Sequence, residues 1–408
     1  MHICLMTRSC LQHGVAGGME RHAADLAGGL AAWGHRITII TTRHPQGKAE
    51  ILASDIRTIF IPHTSERAYS AAWWREGDIA LSRLHRADPV DLIWSQSIGA
   101  YGYLRRRASE RTILCVTILH GTPLGEWRAM RRQWGFSVGH LPKLARFGLR
   151  TLLYQRKFYV TSRHSDRLIC VSPQLAEDAV REFGVRSEIV KIIPNGVNTA
   201  KFAPHEAMRQ LLRSRLGIPE DAIVLLTAGR LEQAKGHHLA LQAAARLLRS
   251  GFSLQVLVAG SGPDEVWLRQ QAESLGIAER VHWLGQTPHS EMPGVYNAVD
   301  VVLMLSIHTE AFPYSVVEAM ACGRAVVASR VGGVPSAIVH GREGFLVAPG
   351  DVAEAAAHAE ALIRDSALRA TVGRAARQTV LNRFTLEQMV SATDDVFRGH
   401  SLVGEAKP

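Results

Sequence analysis

Short apolar runs recur along this chain, and most are followed by a Gly- or Pro-containing turn and then by apolar residues spaced three and four apart. The first run, at 3–6, leads into a loop with Gly14, Gly17 and Gly18, after which the spacing predicts a helix from 19 to about 33. Gly34-His35 breaks that helix before a second run at 37–41, and further runs stand at 91–94, 113–119 and 167–171. Beyond the turn signal Pro194-Asn195-Gly196 the alternation resumes, with runs at 223–228, 254–259, 281–284, 301–305 and 325–328 and helical spacing near 239–249 and 265–275. Consecutive apolar positions suit strands buried on both faces, and their alternation with helices predicts parallel sheets covered on both sides. The fold class is therefore α/β, with two doubly wound domains at 1–195 and 196–383 facing a shared crevice. In such sheets ligands bind outside the carboxyl ends of the strands. A last helical stretch at 386–397, within 384–408, follows the completed second sheet and is expected to pack back on the first domain.

Size and composition fit this division. At 408 residues the chain exceeds what one core usually holds. No apolar run approaches the roughly 20 residues that span a bilayer. The N-terminus starts directly with Ile3-Cys4-Leu5-Met6 and has no basic stretch followed by a long apolar one, so a cytoplasmic location is expected. The five cysteines form no CxxC pair and four lie in or beside apolar runs, which points to buried free thiols.

Charge changes the picture more. The formal net charge is +10. Residues 124–167 hold ten cations (Arg128, Arg131, Arg132, Lys143, Arg146, Arg150, Arg156, Lys157, Arg163 and Arg167) against Glu126 and Asp166. They mix with Trp127, Trp134, Phe136, Phe147, Tyr154, Phe158 and Tyr159. Basic and apolar residues at helical spacing point to a peripheral surface on an anionic membrane, on the inner face of the cytoplasmic membrane. A solvated basic face over a core helix is the plainer alternative, and no nucleic-acid module accompanies the charge.

The chemistry concentrates after two strands of the second half. Glu310 and Glu318 stand eight positions apart around Pro313, directly after the run at 301–305. Pro313 fits the first turn of a helix, which leaves Glu310 in the strand-to-helix loop and Glu318 about a turn and a half along. Free N–H groups and the positive dipole end make such a place receptive to anions, while the acids accept hydroxyls. Arg230 and Lys235 follow the strand at 223–228, where two cations would neutralise a diphosphate. Gly260-Ser261-Gly262-Pro263 lacks phosphate-loop spacing and reads as a turn after a strand.

Together, Gly229-Arg230, Lys235-Gly236, Glu310 and Glu318, Pro194-Asn195-Gly196-Val197 and Val331-Gly332-Gly333-Val334-Pro335 make the chain resemble the GT-B nucleotide-sugar glycosyltransferases. The closer resemblance is to the retaining branch with an E-x7-E motif, family 4 (glycosyltransferase group 1). It is strongest over about 228–349; the first half matches through Gly17-Gly18-x-Glu20 and His120-Gly121. The resemblance implies two Rossmann-like domains around a central cleft, with the acceptor on the first and the nucleotide sugar, a UDP- or GDP-sugar, on the second. Arg230 and Lys235 would hold the donor diphosphate and offset the charge on the leaving group. No DxD triplet occurs, so no metal is expected. Glu318 would take the ribose hydroxyls and Glu310 those of the transferred sugar, with the backbone of Ala311, Phe312, Tyr314, Ser315 and Val316 completing the site.

Leu284 would line the base edge, Gly17 and Gly18 would approach the diphosphate, and His120 would stand beside the reacting sugar. The implied catalytic set is Glu310, His120, Arg230 and Lys235, with neither Glu310 nor His120 a nucleophile and front-face displacement as the mechanism. The family usually has Gly where this chain has Ala311, which puts donor identity in doubt. The expected function is sugar transfer to a hydroxyl of a glycan or lipid-linked acceptor in envelope or polysaccharide (lipopolysaccharide-type) synthesis. The rival is a non-catalytic nucleotide-sugar-binding protein.

Overall fold

A computed structural model describes residues 1–14, 17–134 and 141–399. The chain forms two compact units. The first takes in Met1–Trp127, the chain from the long helix Leu141–His164 through Gly196, and the helix Leu386–Phe397; the second is built on Val197–Thr385.

Among the described residues the first unit holds eight strands: β1 (His2–Met6), β2 (Arg36–Thr42), β3 (Glu50–Ala53), β4 (Ile56–Ile61), β5 (Leu92–Gln96), β6 (Leu114–Leu119), β7 (Arg167–Cys170) and β8 (Val190–Ile192). Their order is β3-β4-β2-β1-β5-β6-β7-β8, parallel except where β3 pairs antiparallel with β4. The wholly parallel expectation is corrected at this edge. The β3–β4 hairpin turns through Ser54 and Asp55, at φ 48 and 62°. Short polar side chains tolerate that left-handed backbone, but without glycine the turn carries a weak sequence signal. Chain direction across the sheet reverses between β1 and β5, and every residue of both strands is buried. The helix Leu386–Phe397 packs on the helix Gly18–Ala32, and His35 Nε2 lies 2.9 Å from Asp394 Oδ1 between buried surfaces.

The second unit holds β9 (Ile223–Ala228), β10 (Leu254–Ala259), β11 (Val281–Gly285), β12 (Val301–Met304), β13 (Ala325–Ser329) and β14 (Phe345–Val347), all parallel, in the order β11-β10-β9-β12-β13-β14. Its switch point lies between β9 and β12. Core residues from these strands pack against the helices His237–Arg249 and Val352–Arg364.

All five cysteines are free and buried; burial pushes Cys10 up to about 11 and Cys170 and Cys322 to about 12, so they are neutral thiols. Among the described residues no helix is long and apolar enough to cross a membrane.

Candidate functional site

The second sheet's switch point brings together the residues that follow β9 and β12. After β9 the chain makes a short 3-10 turn, Gln233–Lys235, whose first N–H is capped by Asp264 Oδ2 at 2.8 Å. Gly236 closes it at φ 72° against the backbone of Leu305, where a Cβ would sit 1.8 Å from the carbonyl oxygen. The N–H of Ile307 donates to the carbonyl of Ala234 at 3.0 Å, tying the two loops together.

Lys235 Nζ therefore reaches Glu310, at 2.7 Å from Oε1 and 3.0 Å from Oε2. The Ser306 hydroxyl donates to the same Oε1 at 2.7 Å. Burial alone would push this carboxyl up. The Lys235 charge, helped by His308 and the hydrogen bonds from Lys235 and Ser306, holds it at about 2 instead. Glu310 is thus ionised at neutral pH. Its own backbone is fixed from behind: the Gly333 N–H donates to the Glu310 carbonyl at 2.8 Å, and Gly332, at φ 50°, leaves no room for a Cβ beside that oxygen.

Arg230 behaves differently. Its side chain is 68% exposed, and its one ion pair among the described residues is with Glu232, at 3.1 Å. Its backbone is held, since His237 Nε2–H donates to the Arg230 carbonyl at 3.0 Å while Nδ1 accepts from the Thr227 hydroxyl at 2.9 Å. Burial lowers His237 to about 4, so a neutral ring performs both tasks at pH 7.

The helix Tyr314–Ala321 starts one residue later than expected. Pro313 is its N-cap at ψ 124°, an extended residue, rather than a member of the first turn. The Val316 N–H turns back to the Pro313 carbonyl at 3.2 Å, while among the described residues the Ser315 N–H has no such backbone bond. Phe312 is 3% exposed and packs edge-on against Phe384, so only its backbone can serve a site. Tyr314 and Ser315 are half-buried at the helix start. Ala311 does not have a positive φ, so this backbone does not demand the family's glycine.

Glu318 is 4% exposed and has two partners that the sequence did not reveal. His289 Nε2–H donates to Oε1 at 2.7 Å and the buried Tyr296 hydroxyl to Oε2 at 3.0 Å. Lys201 Nζ lies 3.3 Å from His289 Nδ1, on the other side of the same ring. Each carboxylate oxygen keeps lone-pair capacity for a further hydroxyl. Leu284 lies in edge strand β11, two strands from β9.

In the first unit, Gly17 and Gly18 are not a free loop: Gly17 is the N-cap and Gly18 the first residue of the helix Gly18–Ala32. Glu20 folds back so that Oε2 accepts the Gly17 N–H at 2.9 Å, already placing an anion at this helix start. His120 follows β6. Gln96 Nε2 donates to its Nε2 at 2.7 Å and to the Met19 carbonyl at 3.3 Å, and the His22 ring packs edge-on at 4.6 Å. Burial lowers His120 to about 4, so it is neutral at pH 7.

The basic stretch forms the helices Pro123–Trp134 and Leu141–His164. Phe136 lies outside the described residues, as do the side chains of Arg132, Trp134 and Lys143. Four of the aromatic residues, Trp127, Phe147, Tyr154 and Phe158, are engaged within the unit instead of facing outward, whereas Tyr159 is exposed. Trp127 stacks on Phe147 at 6.2 Å, Phe158 on Phe183 at 5.9 Å, and the Tyr154 hydroxyl donates to the Tyr69 carbonyl at 3.0 Å. The outward stripe is made of leucines instead: Leu149, Leu152 and Leu153 are 61, 69 and 56% exposed, beside exposed Arg156 and Tyr159. The helix Leu141–His164 contains no Asp or Glu.

Comparison with known proteins accounts for both units. The family model described as glycosyl transferases group 1 matches residues 208–379, and that of Glycosyltransferase Family 4 matches residues 16–201. Glycogen synthase of Mycobacterium tuberculosis is 28% identical over 415 aligned residues, 97% of this chain and 94% of that one. D-inositol 3-phosphate glycosyltransferase 1 of Catenulispora acidiphila is 35% identical over 255 residues; the match spans 60% of each chain, less than two thirds of that relative's length. Among solved structures, HepE of Anabaena in complex with UDP has a TM-score of 0.78 at 23% identity over 98% of this chain and 100% of that one, a likeness of fold. The chain belongs to the GT-B glycosyltransferases of the group 1, family 4 type. It is an enzyme of sugar transfer, and its family gives the class EC 2.4.

Proposed function

We propose that this enzyme is a retaining transferase that moves a sugar from a UDP- or GDP-sugar to a hydroxyl of a glycan or lipid-linked acceptor in bacterial envelope or polysaccharide assembly. The observation that carries the reading is the ionised, mostly buried Glu310 held between Lys235 and Ser306 at the second sheet's switch point. A charged carboxylate beside a cation is suited to sugar hydroxyls next to a diphosphate. Exposed Arg230 is free to swing onto that diphosphate, and Lys235 can share its charge between Glu310 and the phosphates. Electrostatic stabilisation of the departing nucleotide diphosphate is then the main catalytic term, and two cations do what a metal would do elsewhere. Glu318, oriented by His289 and Tyr296, takes the ribose. His120 serves the reacting sugar and the acceptor, the Gly17–Gly18 helix start serves the diphosphate, and the sugar is transferred by front-face displacement.

The test is Glu310→Ala with UDP- and GDP-sugars. Transfer and slow donor hydrolysis should fall by about 100-fold or more, while bare UDP or GDP still binds and chelation leaves the wild-type rate unchanged. Wild-type transfer rates in Glu310→Ala would remove Glu310 from the mechanism. We also assign the leucine and arginine stripe of the helix Leu141–His164 to an anionic membrane surface. Vesicles containing phosphatidylglycerol should carry the protein in flotation, and Leu152→Asp with Arg156→Glu should release it; absence of flotation at low salt overturns this assignment.

A further inference from the structure

We propose that the first unit carries an anion-recognising acceptor subsite, so that the hydroxyl acceptor is a saccharide bearing phosphate or carboxylate groups rather than a neutral sugar. The proposal rests on the glycosyltransferase reading only in calling this ligand the acceptor.

A cavity of about 210 Å³ opens at the carboxyl ends of β1, β5 and β6, lined there by Arg8, Ser97 and His120. That is the switch point of the first sheet, where a doubly wound domain offers its ligand site. The long helix Leu141–His164 supplies the facing wall, including Arg150 and Tyr154. A second, more open cavity of about 420 Å³ shares Tyr69 and Tyr154 with the first and adds Arg105 and Lys157. Four cations therefore line two adjoining cavities.

None of the four makes an ion pair among the described residues, whereas Arg106, Arg209, Arg213 and Lys235 are all paired with carboxylates. Three of them are positioned by aromatic faces. Arg8 lies 5.8 Å from the Tyr69 ring centroid, Arg150 5.5 Å from that of Tyr154, and Lys157 5.0 Å from that of Trp74 and 5.3 Å from that of Tyr154. Cations held against rings rather than in ion pairs keep their N–H groups available to a ligand. Neighbouring like charges in a cleft raise the local concentration of anions, and guanidinium forks match phosphate or carboxylate.

Glu126 is the one carboxylate lining either cavity; burial pushes its carboxyl up, Arg150 and Arg8 act on it through space in the opposite sense, and it makes no ion pair within 4 Å with either. An acceptor for hydroxyls thus stands beside donors for anions, with His120 in the same wall. The combination fits an anionic polyol better than an inorganic ion or a neutral sugar.

The experiment uses the full chain with UDP present to fill the donor site. Calorimetry compares glucose 6-phosphate, galactose 1-phosphate, inositol 1-phosphate and glucuronate, each with its neutral parent, alongside inorganic phosphate and phosphatidylglycerol vesicles. At least one anionic ligand should bind about tenfold or more tightly than its neutral parent. Arg8→Gln with Arg150→Gln should erase that preference, Arg150→Lys should keep part of it, and unfolding curves check that each variant is folded. No preference in any pair overturns the proposal. So does phosphate binding as tight as its sugar ester, or a preference for vesicles alone. Failure of UDP to bind at all is a different result, and it counts against the glycosyltransferase site instead.

Discussion

Lys235→Met isolates the interaction at the centre of the second unit. In the wild type the Glu310 carboxyl lies at about 2 instead of the ordinary 4.5. At about 1.4 kcal/mol for each tenfold change, the depression corresponds to on the order of 3 kcal/mol in favour of the ionised folded form. Glu310 is 12% and Lys235 27% exposed, so solvent screening leaves most of this in place. Because the folded value is depressed, this stabilisation is complete above pH 4.5 and disappears only as pH falls through about 2. Lys235→Met reverses the sign. Burial, now opposed only by His308 and Ser306, raises the carboxyl, and the ionised form becomes a liability at pH 7 that protonation relieves.

The expected loss of about 3 kcal/mol corresponds to roughly 6–12 °C for a unit of this size. It should be read on the unfolding transition of the second unit. The gap to wild type should narrow between pH 8 and pH 5, and Glu310→Gln added to Lys235→Met should recover stability. A Lys235→Met melting temperature within about 1 °C of wild type, or a gap that widens on acidification, would refute this electrostatic account of Glu310.

Four further outcomes follow from the same geometry. His237→Leu leaves the Arg230 carbonyl and the buried Thr227 hydroxyl unpaired, so the UDP dissociation constant should rise roughly 3- to 10-fold in calorimetry; an unchanged constant removes His237 as a positioning residue. Tyr296→Phe strips one donor from Glu318 and should weaken uridine and UDP by a similar factor of about 5, while leaving sugar discrimination as it was. Gly332→Ala places a methyl against the Glu310 carbonyl at a left-handed φ, and should cost about 2–4 kcal/mol of stability in thermal melts, with donor turnover falling further. His120 and His237 are neutral at pH 7 with values near 4, so acid stability should decline as pH falls from 6.5 towards 4. His120→Gln should flatten part of that decline in a pH series of melts, and an unchanged pH series would mean that His120 is not held neutral by burial.

Which parts of this molecule were legible depends on how far apart the cooperating residues lie. Strands β9 and β12 are continuous apolar runs because both faces are covered, and the charged residues just beyond them stand at their carboxyl ends by chain connectivity alone. Pattern therefore located Arg230, Lys235 and Glu310 at one end of the second sheet, and the paired loops explain why: Ile307 and Gly236 lock the segment after β9 to the segment after β12.

The partners of Glu318 could not be found in this way. His289 and Tyr296 come from a turn and a short helix 29 and 22 positions upstream, and only the packing of those elements brings them to one carboxylate. The Gly17-Gly18-x-Glu20 motif hid its own capping box, because glycine at the N-cap lacks the side-chain oxygen that usually announces one. The basic helix misled in the same physical sense. Its aromatic residues looked like an interfacial face, yet rings are the side chains that best fill a core or hold a cation, and Trp127, Phe147, Tyr154 and Phe158 turn inward to do so. That inward turn leaves leucines on the outer surface, and it sets three of the four cavity cations against aromatic rings, with Glu126 the one carboxylate in either lining.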